Sequence, residues 1–288
     1  MRHTEVEKPR AIDAARLRIE MNEAPSQSAE IGLFDSGVGG LTVLHELRRL
    51  MPQARLRYLA DTAHAPYGER SPDDICALSL DAAGWLIGRG AQLIVVACNT
   101  ATAHAIDALR ARWPETPFVG TEPGIKPAVA ASRNGCIGVL TTPATAASAR
   151  YQALLARHAG AVEVFSQACP GMADLIEAGD LGSSALLDLI EKACAPLRAA
   201  GVDTVLLGCT HYPLVQPHIQ AALGPDVQLL NIETAVALRA ADLWRARPQW
   251  VAEQPALWLH ASGASMPLQL MARNLFGSLA PDVTPRSS

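Results

Sequence analysis

A chain of 288 residues, 49% of them hydrophobic and 18% charged, carries enough apolar material for a sizeable core in two modest domains or one large one. Its net charge of −4 at pH 7 offers no basic field to nucleic acid, and no segment approaches the ~18–20 uninterrupted apolar residues that a membrane helix needs. The charged stretch Met1 to Glu23 lacks the apolar core of a secretory signal, so a cytoplasmic protein is expected.

Residues 1–30 read as an N-terminal extension, with a short, weakly amphipathic helix near 11–21 and a loop at Ala24-Pro25-Ser26-Gln27-Ser28. The first strand, near 31–35, runs into Asp35-Ser36-Gly37-Val38-Gly39-Gly40, which opens a helix near 39–50. The glycines suit a tight turn whose N–H groups can hold an anion at the helix N-terminus. The dinucleotide spacing is incomplete and no Gly-Lys-Ser/Thr of a P-loop occurs. Asp35 either caps that helix or, placed at a strand end, belongs to a site.

A strand near 55–60 leads to Asp61 and then to Pro66-Tyr67-Gly68-Glu69, a turn whose amides and Tyr67 hydroxyl suit a small polar substrate. A helix near 72–89 precedes the apolar strand 92–97, which ends in Cys98-Asn99-Thr100 at the start of a helix near 100–112. Strands near 117–120 and 136–140, a helix near 143–158 and a strand near 162–166 follow; the last leads to Cys169-Pro170-Gly171 and Glu177. After a helix near 183–200, the strand 203–208 ends in Cys209-Thr210-His211. A strand near 227–230, a helix near 234–246, a strand near 256–260 and a helix near 267–276 complete the pattern, ahead of a Pro/Ser tail expected to fray. Such alternation predicts an α/β protein with mainly parallel, doubly wound sheets covered on both faces.

Cys98 and Cys209 stand in matched settings, each closing a buried strand and opening a helix, where open α/β sheets build their sites. The match extends further: Ile31–Ser36 pairs with Ile137–Thr142, and Leu56–Ala60 with Val162–Phe165, at nearly the same spacing as the cysteines. One unit used twice is the reading, giving two pseudo-symmetric domains with the active site between them. A helix N-terminus favours thiolate over thiol, the requirement for a cysteine base, although either cysteine alone reads equally as a buried structural residue. His211 lies close enough to Cys209 to exchange a proton with it, and Glu177 is its natural acidic partner unless it is only a solvated helix-end residue. Cys76, Cys136, Cys169 and Cys194 read as small buried hydrophobes; no disulfides are expected, and no Cys/His spacing fits zinc.

Taken together, FDSGVGGLTV at 34–43, LAD and APYGER within 59–70, VVACNTATA at 95–103, GTEPGIKPA at 120–128 and LLGCTHYPL at 206–214 resemble the aspartate/glutamate racemase superfamily, in its glutamate branch, over about Ile31 to Gly277. The resemblance implies interconversion of L- and D-glutamate without cofactor or metal, supplying D-glutamate for peptidoglycan. Its two catalytic thiols match Cys98, acting on D-glutamate, and Cys209, acting on L-glutamate. Supporting acid/base groups match Asp35, His211 and Glu177. Substrate contacts match Asp35, Ser36, Pro66, Tyr67, Gly68, Cys98, Asn99, Thr100, Thr142, Thr145, Thr210 and His211. A first domain of 31–122 with 232–288, a second of 123–231, a homodimer and activation by a cell-wall precursor are further expectations from the likeness.

Two thiols suit the chemistry, because inverting a stereocentre takes a proton from one face and returns one to the other. The chain departs from the pattern at Gly171-Met172, Asn231-Ile232 and Gly124, the last read as added flexibility beside Lys126. Rival readings are a racemase for aspartate or another amino acid, and a non-catalytic regulator, such as a topoisomerase inhibitor, on the same fold. A cysteine hydrolase would leave the second matched thiol unexplained.

Overall fold

The computed structural model describes residues 29–250 and 254–287, so the helix expected near 11–21 and the loop at 24–28 lie outside the described residues. Two parallel sheets organise the chain. The first contains β1 (Glu30–Asp35), β2 (Arg55–Ala60), β3 (Ala91–Val96), β4 (Phe118–Gly120), β9 (Ala256–Ala261) and β10 (Val283–Pro285), in the order β10-β9-β2-β1-β3-β4. The second contains β5 (Cys136–Thr141), β6 (Glu163–Ala168), β7 (Thr204–Leu207) and β8 (Gln228–Leu230), in the order β6-β5-β7-β8. All these neighbours pair parallel.

The order β2-β1-β3-β4 repeats as β6-β5-β7-β8, so the duplication read from the sequence is a repeated topology, with Cys98 and Cys209 at equivalent strand ends. Alternating side chains explain why both faces are covered. In β1, Ile31 and Leu33 pack with α1 (Leu41–Leu50), α10 (Glu233–Arg245) and α11 (Met266–Phe276), whereas Phe34 faces α2 (Pro72–Gly88) and α3 (Asn99–Arg112). In the second sheet, Ile137, Val139 and Leu206 face α4 (Ile125–Ala131) and α6 (Ala149–His158), while Leu140, Val205 and Leu207 pack on α7 (Met172–Glu177), α8 (Ser184–Ala199) and α9 (Gln216–Leu223).

The helix expected over 143–158 is two helices, α5 (Pro143–Ala147) and α6, because Ser148 is extended, with its hydroxyl accepting from Tyr151 N at 3.1 Å and donating to Thr145 O at 2.8 Å. The short helices α4, α7 and α9 lack the length for a periodic signal, and Pro127 and Pro217 obscure two of them.

The tail does not fray. Val283–Pro285 pairs with β9, Arg286 N donates to Ala261 O at 2.7 Å, and Trp85 Nε1 donates to Ser287 O at 2.8 Å. An edge strand tolerates the proline that made this segment look irregular. Gly124 serves close packing rather than flexibility: a Cβ there would stand 3.0 Å from Pro127 and 3.2 Å from Ile232.

Candidate active site

The carboxyl ends of β1, β3, β5 and β7 meet at one cleft. Ser36, Cys98, Asn99 and Thr100 come from the first sheet's strand ends, and Thr142, Cys209, Thr210 and His211 from the second's; the Pro66-Tyr67-Gly68 turn closes one side and Ala173 of α7 the other. Both thiols therefore face one space. Its free volume is about 10 Å³, room for about one water.

Cys98 caps α3, and its Sγ accepts from Ala101 N at 3.4 Å and lies 3.7 Å from Ser36 Oγ. Behind it, Asp35 is fully buried. Its carboxyl accepts from Ser36 N at 2.7 Å, from Gly40 N, and from the Thr210 hydroxyl at 3.4 Å across the cleft. Burial pushes the Asp35 carboxyl above its ordinary range; His211 opposes this and Glu177 adds to it. Burial and then Asp35 raise the Cys98 thiol well above its usual value, against the Ala101 amide. At Cys98, burial thus works against the pull that the helix N-terminus exerts on the thiol.

The other wall is built differently. Cys209 Sγ lies 3.6 Å from His211 Nδ1, while His211 Nε2 donates to Glu177 Oε1 at 2.6 Å. Burial alone would lower the His211 pKa, but its bonds to Cys209 and Glu177 prevail and hold it well above the ordinary value. Glu177 Oε1 also accepts from Val38 N at 2.6 Å, so the anion held by the glycine-rich loop is the protein's own carboxylate. A Cβ on Gly37 would sit 1.6 Å from Glu177 Oε1, and one on Gly39 2.6 Å from His211 Nδ1. Those glycines make room for the pair.

Thr100, Thr142 and Thr145 join hydroxyls at 2.9, 3.2 and 3.0 Å. Asn99 donates from Nδ2 to Thr121 O at 3.0 Å, and its buried Oδ1 has no protein partner. Asp35, Thr145 and Glu177 stand behind the lining rather than on it. The Tyr67 hydroxyl is not aimed at the cleft as expected: it donates to Asp61 Oδ2 at 2.6 Å, and Asp61 also holds Ser262 Oγ at 2.6 Å and His64 Nδ1 at 2.9 Å. Ala173, which sequence reasoning missed, carries no chemical signal beyond its place two residues after Gly171.

All six cysteines are free; Cys76 and Cys136 are only half-buried, against expectation, whereas Cys169 and Cys194 are buried. Among the described residues there is no cluster of three or more His, Cys, Asp or Glu able to hold a metal, and no helix long and apolar enough to cross a membrane.

Two repeated parallel α/β lobes bring ionisable groups together at one cleft, and the relatives this chain matches are amino-acid racemases, which places it among the isomerases. The chain belongs to the Asp/Glu/hydantoin racemase family, whose profile matches residues 42–240. It is 51% identical over 222 residues to glutamate racemase from Roseiflexus sp. (strain RS-1), covering 77% of this chain and 82% of that protein. The fold superposes on glutamate racemase isoform RacE1 from Bacillus anthracis with a TM-score of 0.81 at 30% identity, covering 90% of this chain and 97% of that one. Escherichia coli glutamate racemase, in complex with L-glutamate and the activator UDP-MurNAc-ala, gives 0.80 at 30% identity, covering 89% and 97%.

Proposed function

We propose that this chain interconverts L- and D-glutamate by two-base proton transfer, with Cys98 and Cys209 on opposite faces of the α-carbon. The observation that carries the reading is one cleft lined by both thiols, each at the end of an equivalent strand and each backed by its own ionisable group. From D-glutamate, Cys98 as thiolate takes the α-proton and the Cys209 thiol delivers its proton to the other face; L-glutamate reverses the roles. Asp35 gives the Cys98 proton a nearby acceptor, which a thiol raised by burial requires. The imidazolium of His211, steadied by Glu177, recharges Cys209 with a proton or stabilises its thiolate. The unpartnered Asn99 Oδ1 suits the substrate ammonium, and the threonine hydroxyls suit a carboxylate. Hydrogen bonds to that carboxylate stabilise the developing carbanion.

The wider setting belongs to the same reading: D-glutamate for peptidoglycan, a cytoplasmic homodimer, activation by a cell-wall precursor, and lobes divided as 31–122 with 232–288 against 123–231. The test is racemisation of each enantiomer, followed by circular dichroism without added cofactor and with or without a UDP-linked muropeptide precursor. In D₂O the label is expected first in the product enantiomer. Early labelling of substrate and product alike would argue for a single shared base, and faster turnover of aspartate would overturn the substrate assignment.

A further inference from the structure

A contact outside the acid/base machinery joins the two lobes beside the cleft. Glu69 ends the short 3₁₀ turn Tyr67–Glu69 on the first lobe, and its exposed carboxylate accepts from Gly171 N of the second lobe at 2.9 Å. Both ends of the contact are fixed to their own lobes. The turn is pinned through Tyr67 to buried Asp61, and through Arg70 Nε to His64 O at 2.7 Å. Gly171, with φ of +72°, leads directly into α7, which supplies Ala173 to the cleft and Glu177 to His211. Beside it, Gly68 lies so near Thr142 that a Cβ would stand 3.0 Å from that side chain. The free volume of the cleft, room for about one water, is smaller than an amino acid needs.

From this geometry we infer that Glu69 is a latch: its hydrogen bond to Gly171 holds the two walls of the cleft together, and it is a positioning residue for the substrate. The inference rests on the reading of this cleft as the substrate site. Breaking the bond shifts the substrate-free population toward open forms and leaves the thiols and their partners intact. It also weakens the grip on bound substrate, so KM rises more than kcat falls.

The test compares wild type, Glu69→Ala and Glu69→Gln, the last retaining a side-chain carbonyl that can accept the Gly171 N–H. Substrate-free protein is treated with iodoacetamide, and alkylation of each cysteine is timed by peptide mass spectrometry. In Glu69→Ala, Cys98 and Cys209 are expected to react on the order of fivefold faster, while buried Cys194 keeps its wild-type rate. Glu69→Gln is expected within about twofold of wild type. Unchanged labelling of the two cleft thiols in Glu69→Ala, or a parallel rise at Cys194 that marks general loosening, would overturn the latch. Because labelling needs no turnover, a latch that passes in a protein unable to racemise glutamate would leave the latch standing and remove the reaction.

Discussion

The two walls of the cleft are the same strand-to-helix corner used twice, yet they equip their thiols differently. Beside Cys98 stands Asp35, a carboxyl raised by burial and fed by the Ser36 and Gly40 amides of its own lobe. Beside Cys209 stands His211, whose imidazole is raised by its partners and whose far nitrogen is tied to Glu177. The repeated corner thus presents a thiol on each wall, while the ionisable group beside it differs. Each of these carboxyl groups also accepts a bond from the opposite lobe: Asp35 from Thr210, and Glu177 from Val38 N.

Removing either thiol should erase the comparison altogether. Cys98→Ser and Cys209→Ser are each expected to lower racemisation by roughly 10³-fold or more, with unchanged far-ultraviolet circular dichroism, because one missing acid/base stops transfer in both directions. Retention of near-normal turnover by either variant would end the two-base reading.

Exchanging the supporting groups sharpens the comparison. Asp35→Asn and His211→Asn are each expected to cost about 10²-fold in kcat/KM, and equally in both directions, since enantiomers have the same free energy. The asymmetry should appear in isotope effects instead. With α-deuterated substrates, Asp35→Asn should enlarge the effect chiefly from D-glutamate and His211→Asn chiefly from L-glutamate. Identical patterns would mean that each group serves both thiols.

A gentler change acts through space alone. Gly37→Ala pushes Glu177 aside, since the new methyl overlaps its carboxylate, and about a tenfold loss of turnover is expected, with the basic limb of the pH profile moving down as His211 loses support.

The smallest effects concern stability. Asp35 and His211 both have folded-state pKa values raised above their unfolded ones, so the stability each provides is full below its unfolded pKa and is lost as pH rises through the folded pKa. Thermal stability should therefore fall with rising pH over that window. Asp35→Asn, which cannot ionise, should flatten the decline; an unaltered slope in melting experiments would show that Asp35 is not its source. Ser148→Ala, at the break between α5 and α6, should cost about 1 kcal/mol in chemical denaturation without touching turnover.

Much of this was legible in the chain because function sits where the periodic signals end. Apolar runs ending at Asp35, Cys98 and Cys209 marked the strand tips, and the repeated spacing anticipated the repeated strand order. For Glu177 the sequence leaves two readings, a partner of His211 or a solvated helix-end residue, and the 2.6 Å contact with His211 decides for the first. Other features depend on tertiary partners. The Tyr67 hydroxyl turns to Asp61 because a buried carboxylate offers a stronger acceptor, and no local pattern reports that. Burial, which depends on the whole lobe, raises the Cys98 thiol, and no local pattern in the sequence reports it. Ala173 has no functional group to signal its place, and the strand at 283–285 exists only because β9 has an open side.

That last strand has a bearing on solubility. Both margins of the six-stranded sheet, β4 and β10, are three residues long, and β10 ends in Pro285. Neither presents a row of backbone groups long enough to template another molecule's strand, so the tail works as a cover against edge-to-edge aggregation of the very sheet that carries Cys98.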